Sequence, residues 1–202
     1  MNLFDLFRKY APDDVLRTLR HRIVISALTY RKFLDEPNNE KSSNAGAELV
    51  FLLLHLVDVA MFGTLGQAKR DLYFDRLALE AIRDYSAATL RSETPEDLKV
   101  AAAHIHLRSL NSRQISYSRC KSVMGDGFPG AGSMVFAFCF FVYRVLGRTE
   151  RATFDEILAG SLPIQASDLR DFPDVEHILR WTCFLGPAVK ELQIEREVRK
   201  LK

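Results

Sequence analysis

Two sets of side chains in this sequence are of types and spacings that could do chemistry. The first is a basic tract. Between Leu98 and Thr149 there is one acid, Asp126, against seven bases: Lys99, Arg108, Arg113, Arg119, Lys121, Arg144 and Arg148. The window carries +6 and the rest of the chain −4, within a whole-chain charge of +2. Guanidinium and ammonium donors at this density suit phosphate or carboxylate oxygens. The tract adjoins a glycine-rich stretch, Gly125 to Ser133, whose last step from Gly130 through Gly132 to Ser133 leads into an apolar segment. Free N–H groups and the dipole at a helix start favour an anion there, and glycines let the backbone approach it closely. The expected anion ligands are therefore Arg108, Arg113, Arg119, Lys121, Gly130, Gly132 and Ser133. The stretch is not a Walker loop, because no lysine precedes Ser133 and no strand leads into it. On a helical wheel Arg108 and Arg119 share a side with His104, Asn111 and Ser118, while Arg113 and His106 lie nearly opposite. The competing reading pairs these arginines with acids of other helices, such as Asp71, Asp75, Glu80 or Asp84.

The second set is more local. Glu48, His55 and Asp58 interrupt an otherwise apolar segment, and Asp71 and Asp75 fall inside the apolar stripe of the next one. A helical hairpin turning about Gly63 to Gly66 places Asp58 opposite Asp71 and His55 opposite Asp75. One imidazole and three carboxylates converging in a bundle would hold one divalent metal, the centre of a metal-binding bundle or a metal-dependent enzyme. The paired Glu-x-x-His motifs of di-iron bundles are missing. The favoured reading is a core charge network instead, with the carboxylates neutralised by arginines of the long basic helix, since unpaired buried charge is very costly.

Other candidates fade. No Gly-x-Ser-x-Gly elbow exists for a hydrolase. His104 and His106 point to nearly opposite helix faces and make a poor chelating pair. His177 and Trp181, four apart, read as packing.

The elements that must position these residues read as helix after helix. Pro12, Asp13 and Asp14 open a segment running to about Glu36, closed by Pro37 and the polar stretch Asn38 to Asn44. Ala45 to Gly63 follows, then a Gly63-to-Gly66 break, then Gln67 to Leu90 with Phe74, Leu77, Ala78, Ala81, Ile82 and Tyr85 on one stripe. Thr94, Pro95, Glu96 and Asp97 form the clearest start signal, opening a helix that reaches toward Met124. Ser133 to Leu146 is stopped by Gly147. A short helix over Thr153 to Ala159 is followed by Asp174 to Leu185 and by Ala188 to about Lys200, parted at Gly186 and Pro187. No run alternates with period two between turn signals, so no strand is expected.

A chain of 202 residues, 48% of them hydrophobic, is long enough for one sizeable core. The expectation is an all-α, single-domain bundle of about seven helices over residues 1–202, with the apolar Ala45–Gly63 and Ser133–Leu146 segments at its centre. Leu3, Phe4, Phe7 and Tyr10 mark a short amphipathic helix over 1–10 that docks on the body. No secretory signal and no spanning segment is expected: the first apolar stretch carries Glu48, His55 and Asp58, and the second is too short. Cys120, Cys139 and Cys183 are scattered and odd in number, which points to reduced thiols and a cytoplasmic setting. No motif identifies a reaction. The functional expectation is a non-enzymatic binding or interaction protein without a cofactor, using the basic tract toward an acidic protein or a phosphorylated small ligand. Nucleic acid is a weaker fit, for want of a recognition motif.

Overall fold

The computed structural model describes residues 10–34, 40–123, 132–147 and 175–202; in the last span, side chains are described at 180 and from 182 onward. The architecture is all-α. Six helices of twelve residues or more are α1 (Pro12–Phe33), α2 (Glu40–Leu65), α3 (Gln67–Thr89), α4 (Glu96–Ser118), α5 (Met134–Val145) and α6 (Val175–Leu192). A short α7 (Ile194–Arg199) follows. The one β pairing among the described residues is an isolated bridge between Ser122 and Ser133. The stretch Met1–Lys9, the segment read as a helix over Thr153–Ala159, Arg148 and Gly130 lie outside the described residues.

The centre is α2, which packs against α1, α3, α4, α5 and α7. It is apolar nearly all round, and such helices are stable only when other helices cover them. Among the described residues it is the one helix long and apolar enough to cross a membrane, and 72% of its most apolar window is buried inside the bundle. The second apolar helix, α5, buries every residue from Val135 to Val142, and each phenylalanine among them contributes roughly 1.5–3 kcal/mol by leaving water. Around this pair, α1 buries Leu16, Leu19, Ile23, Ala27 and Tyr30 on one stripe. On α3, Phe74, Leu77, Ala78, Ala81, Ile82 and Tyr85 are buried, the stripe read from the sequence.

Several boundaries differ from the sequence pattern. The polar stretch before Ala45 is largely helical, because α2 begins at Glu40. Ser42 is buried, and the carbonyl of Ser43 accepts the Tyr85 hydroxyl at 2.7 Å, so tertiary contacts hold this polar turn in the helix. The hairpin turns on Gly66 alone: α2 runs through Gly63 to Leu65, and Gly66 has φ +76°, a conformation that favours glycine. Thr94 does not cap α4; the helix starts at Glu96 behind Pro95, with no side-chain cap but with Glu96 and Asp97 in its first turn. It stops at Ser118 rather than near Met124, because residues 121–123 turn to pair with residues 132–135. Gly186 and Pro187 do not break the last segment. Helix α6 runs through them, with Leu185 and Ala188 both buried, and the break falls at Gln193, which has φ +47°.

The tightest approach in the bundle is at Gly46. A Cβ placed there would lie 2.1 Å from the Tyr85 hydroxyl oxygen and 2.6 Å from the Arg31 Cγ. The Tyr85 hydroxyl is fixed by its bond to Ser43, so it has little room to yield. Gly46→Ala is expected to lower the free energy of unfolding by about 1–3 kcal/mol, the usual cost of overpacking, as read by chemical denaturation; an unchanged midpoint would show that α1 and α3 move aside freely.

Candidate functional site

The structure draws the basic tract apart. Arg113 turns inward, where its Nε and a terminal nitrogen donate to the two carboxylate oxygens of Glu48 at 2.7 and 2.6 Å. Glu48 is only 2% exposed. The guanidinium lies 3.8 Å from the Phe141 ring centroid. Burial opposes its charge, but the attraction and hydrogen bonds of Glu48 outweigh that, and the pKa of Arg113 is raised. Arg113 is thus a structural cation and not an anion ligand. Arg108, Arg119 and Lys121 are exposed on the outer side of α4 and just beyond it. They do not converge with Arg113.

At the start of α5 the backbone donors of residues 134–136 are taken up within the fold. Ser133 caps the helix by accepting the N–H of Phe136 at 3.2 Å. The N–H of Met134 donates to Ser122 and that of Val135 to Val123, at 2.9 and 3.1 Å, while Gly132 gives its carbonyl to Lys121 N–H. The donors that a helix start leaves free are here consumed by the bridge and the cap. Gly132 and Ser133 therefore serve the turn, which the sequence could not distinguish from a ligand cradle.

The four proposed metal ligands also separate. With the turn at Gly66, Asp58 meets Arg70, whose Nε donates to Oδ1 and whose terminal nitrogen lies 2.8 Å from Oδ2. Asp71 reaches the same arginine at 2.8 Å and accepts from Gln67 at 2.6 Å; the Gln67 hydrogen bond, then that of Arg70, hold its pKa below the ordinary range. Asp58 and Asp71 do come together, but across a guanidinium that occupies the place of a cation. Asp75 is exposed. His55 is buried beside the Tyr117 ring, with its Nδ1 2.5 Å from the Gln114 amide oxygen. Among the described residues no three His, Cys, Asp or Glu side chains group as metal ligands. Charge neutralisation is what these carboxylates receive: Glu48 from the long basic helix as read, Asp58 from Arg70 of its own hairpin. Glu80 and Asp84, named as partners for the tract, pair instead with Arg20 of α1 at 2.7 and 3.1 Å.

The remaining nucleophile candidates are quiet. Burial lifts the Cys120 thiol to about 11 and raises that of Cys139 further. His104 is exposed and His106 half-buried on the other side of α4, in line with the wheel. His106 Nδ1 lies 2.9 Å from the Ser86 hydroxyl, but Ser86 is itself buried and meets no substrate from solvent.

A concave surface among the described residues lies elsewhere. A groove of about 1460 Å³ opens between the α2–α3 hairpin and the C-terminal end of the chain. Its apolar wall includes Leu56, Ala60, Tyr73, Val123, Val189 and Ile194, and its basic groups are Lys69, Lys190, Arg196, Arg199, Lys200 and Lys202. The acid among the described lining residues is Glu195. Arg199 lies 3.5 Å from Glu195 and Lys200 2.6 Å from the buried Glu197. Arg196 bonds the Gln193 amide oxygen, and Lys69 the main-chain oxygen of Lys202. Lys69, Lys190, Arg196 and Lys202 thus keep no Asp or Glu partner among the described residues. Glu197 also lies 3.5 Å from Arg22, which donates to the Leu192 carbonyl, so α7 is pinned to α1 behind the groove. Little in the local pattern points to this site. From Lys190 to Lys202 five bases alternate with three acids, and only folding sorts them, turning Glu197 inward and the bases toward the groove.

Comparison with protein-family models, with curated proteins and with solved structures gives no match.

Two measurements check this account. Arg113→Met alone is expected to cost about 3–5 kcal/mol by stranding Glu48 in the core, while adding Glu48→Leu restores much of the loss; additive losses in a denaturation cycle would contradict a coupled pair. Burial holds His106 below its ordinary pKa. Above an unfolded-state value of about 6.5 the ring is neutral in both states and stability is complete. As pH falls below that, the unfolded chain takes the proton first, so stability declines until the folded pKa is passed. The pH dependence of unfolding between about 7 and 5.5 should be flatter in His106→Gln than in the parent.

Proposed function

We propose that the chain is a non-enzymatic binding protein whose ligand, an anion with an apolar body, lies in the groove between the α2–α3 hairpin and α7. The observation that carries this reading is the groove's composition: an apolar wall beneath a rim whose described residues include six bases and one acid. Apolar walls with a few placed charges are how binding clefts combine affinity with orientation. The reading keeps the expected preference for anions and moves it from Arg108, Arg113, Arg119 and Lys121 to Lys69, Lys190, Arg196 and Lys202. Arg113 is spent on Glu48, and the others of that set do not border the groove.

The test is titration with a dansylated long-chain carboxylate, an anionic amphiphile whose emission reports transfer to an apolar site. Saturable binding is expected, weakened about tenfold between roughly 50 and 500 mM salt, because screening acts on the exposed cations. Lys69→Glu with Arg196→Glu should weaken it similarly, while Arg108→Ala leaves it unchanged. Salt-insensitive binding, or equal loss in Arg108→Ala, contradicts the assignment.

A further inference from the structure

The groove does not end at its rim. A second cavity, of about 420 Å³, continues it along α2 and shares Leu56, Ala60, Val123, Glu195 and Arg199 with it. The α2 residues that line this trough are Leu56, Val59, Ala60, Gly63 and Thr64. Their spacing is i, i+3, i+4, i+7 and i+8, one straight stripe of a helix. Eight residue steps extend the stripe over about 12 Å.

The fold leaves this stripe only partly covered: Val59 and Gly63 are exposed, and Leu56, Ala60 and Thr64 are half-buried. Val59 is 54% exposed and the neighbouring Phe62 56%, although the preceding half of α2 is buried almost throughout. A Cβ at Gly63 would meet nothing within 4 Å, so another backbone can come close there. The main groove exceeds the roughly 300–1,000 Å³ usual for small-molecule clefts. A long, apolar, helical stripe with small residues at its middle fits a second helix, seated as amphipathic helices sit in apolar grooves.

Charge selects the kind of helix. Lys69, Lys190, Arg196 and Lys202 face the trough without Asp or Glu partners among the described residues. A basic or neutral partner would leave these cations crowded or uncompensated, whereas glutamates and aspartates flanking an apolar stripe would meet them. We infer that the occupant is an acidic amphipathic helix of a partner protein, its apolar face on Leu56, Val59 and Ala60 and its carboxylates toward Lys69, Lys190 and Arg196. This rests on the groove reading above and adds the class of partner to it.

The experiment uses the full chain and three synthetic peptides of about 18 residues, long enough to show a helical periodicity. One carries leucines at helical spacing flanked by glutamates, the second has the same composition scrambled, and the third has lysines for the glutamates. Fluorescence anisotropy reads binding, circular dichroism reads helix gained, and displacement of the dansylated carboxylate reads location. Expected is binding of the acidic amphipathic peptide alone, with gain of helix and displacement of the dye. Val59→Asp, at an exposed position that the fold tolerates, should weaken it at least about tenfold, while Ile105→Asp, exposed on α4 and outside the trough, should not.

Equal binding of the scrambled peptide overturns recognition of a helical face. If the dye binds with the expected salt dependence but no peptide displaces it, the helix inference fails and the groove reading stands. The same holds if vesicles containing phosphatidylserine, or single-stranded RNA, displace the dye and the peptide does not. If neither dye nor peptide binds, both fall.

Discussion

The bundle depends on one buried ion pair. Helix α4 has a weak apolar face; Ala103, Leu110 and Tyr117, seven residues apart along one line, are its only buried members. Such a narrow seam would not by itself hold a helix of this length against the core. Polar side chains complete the attachment, and each reaches a different point: His106 meets Ser86 of α3, Gln114 meets His55 of α2, and Arg113 meets Glu48 of α2. The last is the costly one. Desolvating a carboxylate in an apolar helix is tolerable only with a cation in bidentate register, and the position of α4 supplies it. Phe141 of α5 lies over the same guanidinium, so the pair ties three helices together.

A related device fixes the C-terminal segment. Glu197 is buried in the short α7 and is met by Lys200 and Arg22. That inward acid lets the remaining bases of the C-terminal segment turn outward. The two networks divide the chain's charge into structural and available parts. Arg113, Arg70 and Arg22 are committed to acids at short range, whereas Lys69, Lys190, Arg196 and Lys202 are not. The proposed affinity for an anion draws on the second set, and the first leaves that set uncommitted, since Lys200 alone of the groove cations is held by a core acid.

How far the candidate site could be read in advance follows from these networks. Buried carboxylates at Glu48 and Asp58 are visible as charges interrupting an apolar segment, and cost alone demands cations for them. Which cations is a question of register. A hairpin turning at Gly66 rather than across Gly63–Gly66 sets Arg70 beside Asp58 and leaves Asp75 in solvent. The same holds at α5, where a glycine step into a helix start suits either an anion or a turn. The bridge from Ser122 to Ser133 takes up backbone donors there, and that pairing joins residues with no local signal for it.

The sequence by itself determined the helical class, the two apolar central helices and most helix starts, because periodicity, acids in first turns and terminal glycines act over a few residues. It also determined that carboxylates buried in α2 must be neutralised. Only the tertiary structure decided which arginine does so, that Gly186 and Pro187 lie inside a helix, and that cations from α3, α6, α7 and the final residues gather on one groove. Those are contacts between residues far apart in the chain, and their strength depends on distances that only the packed bundle sets.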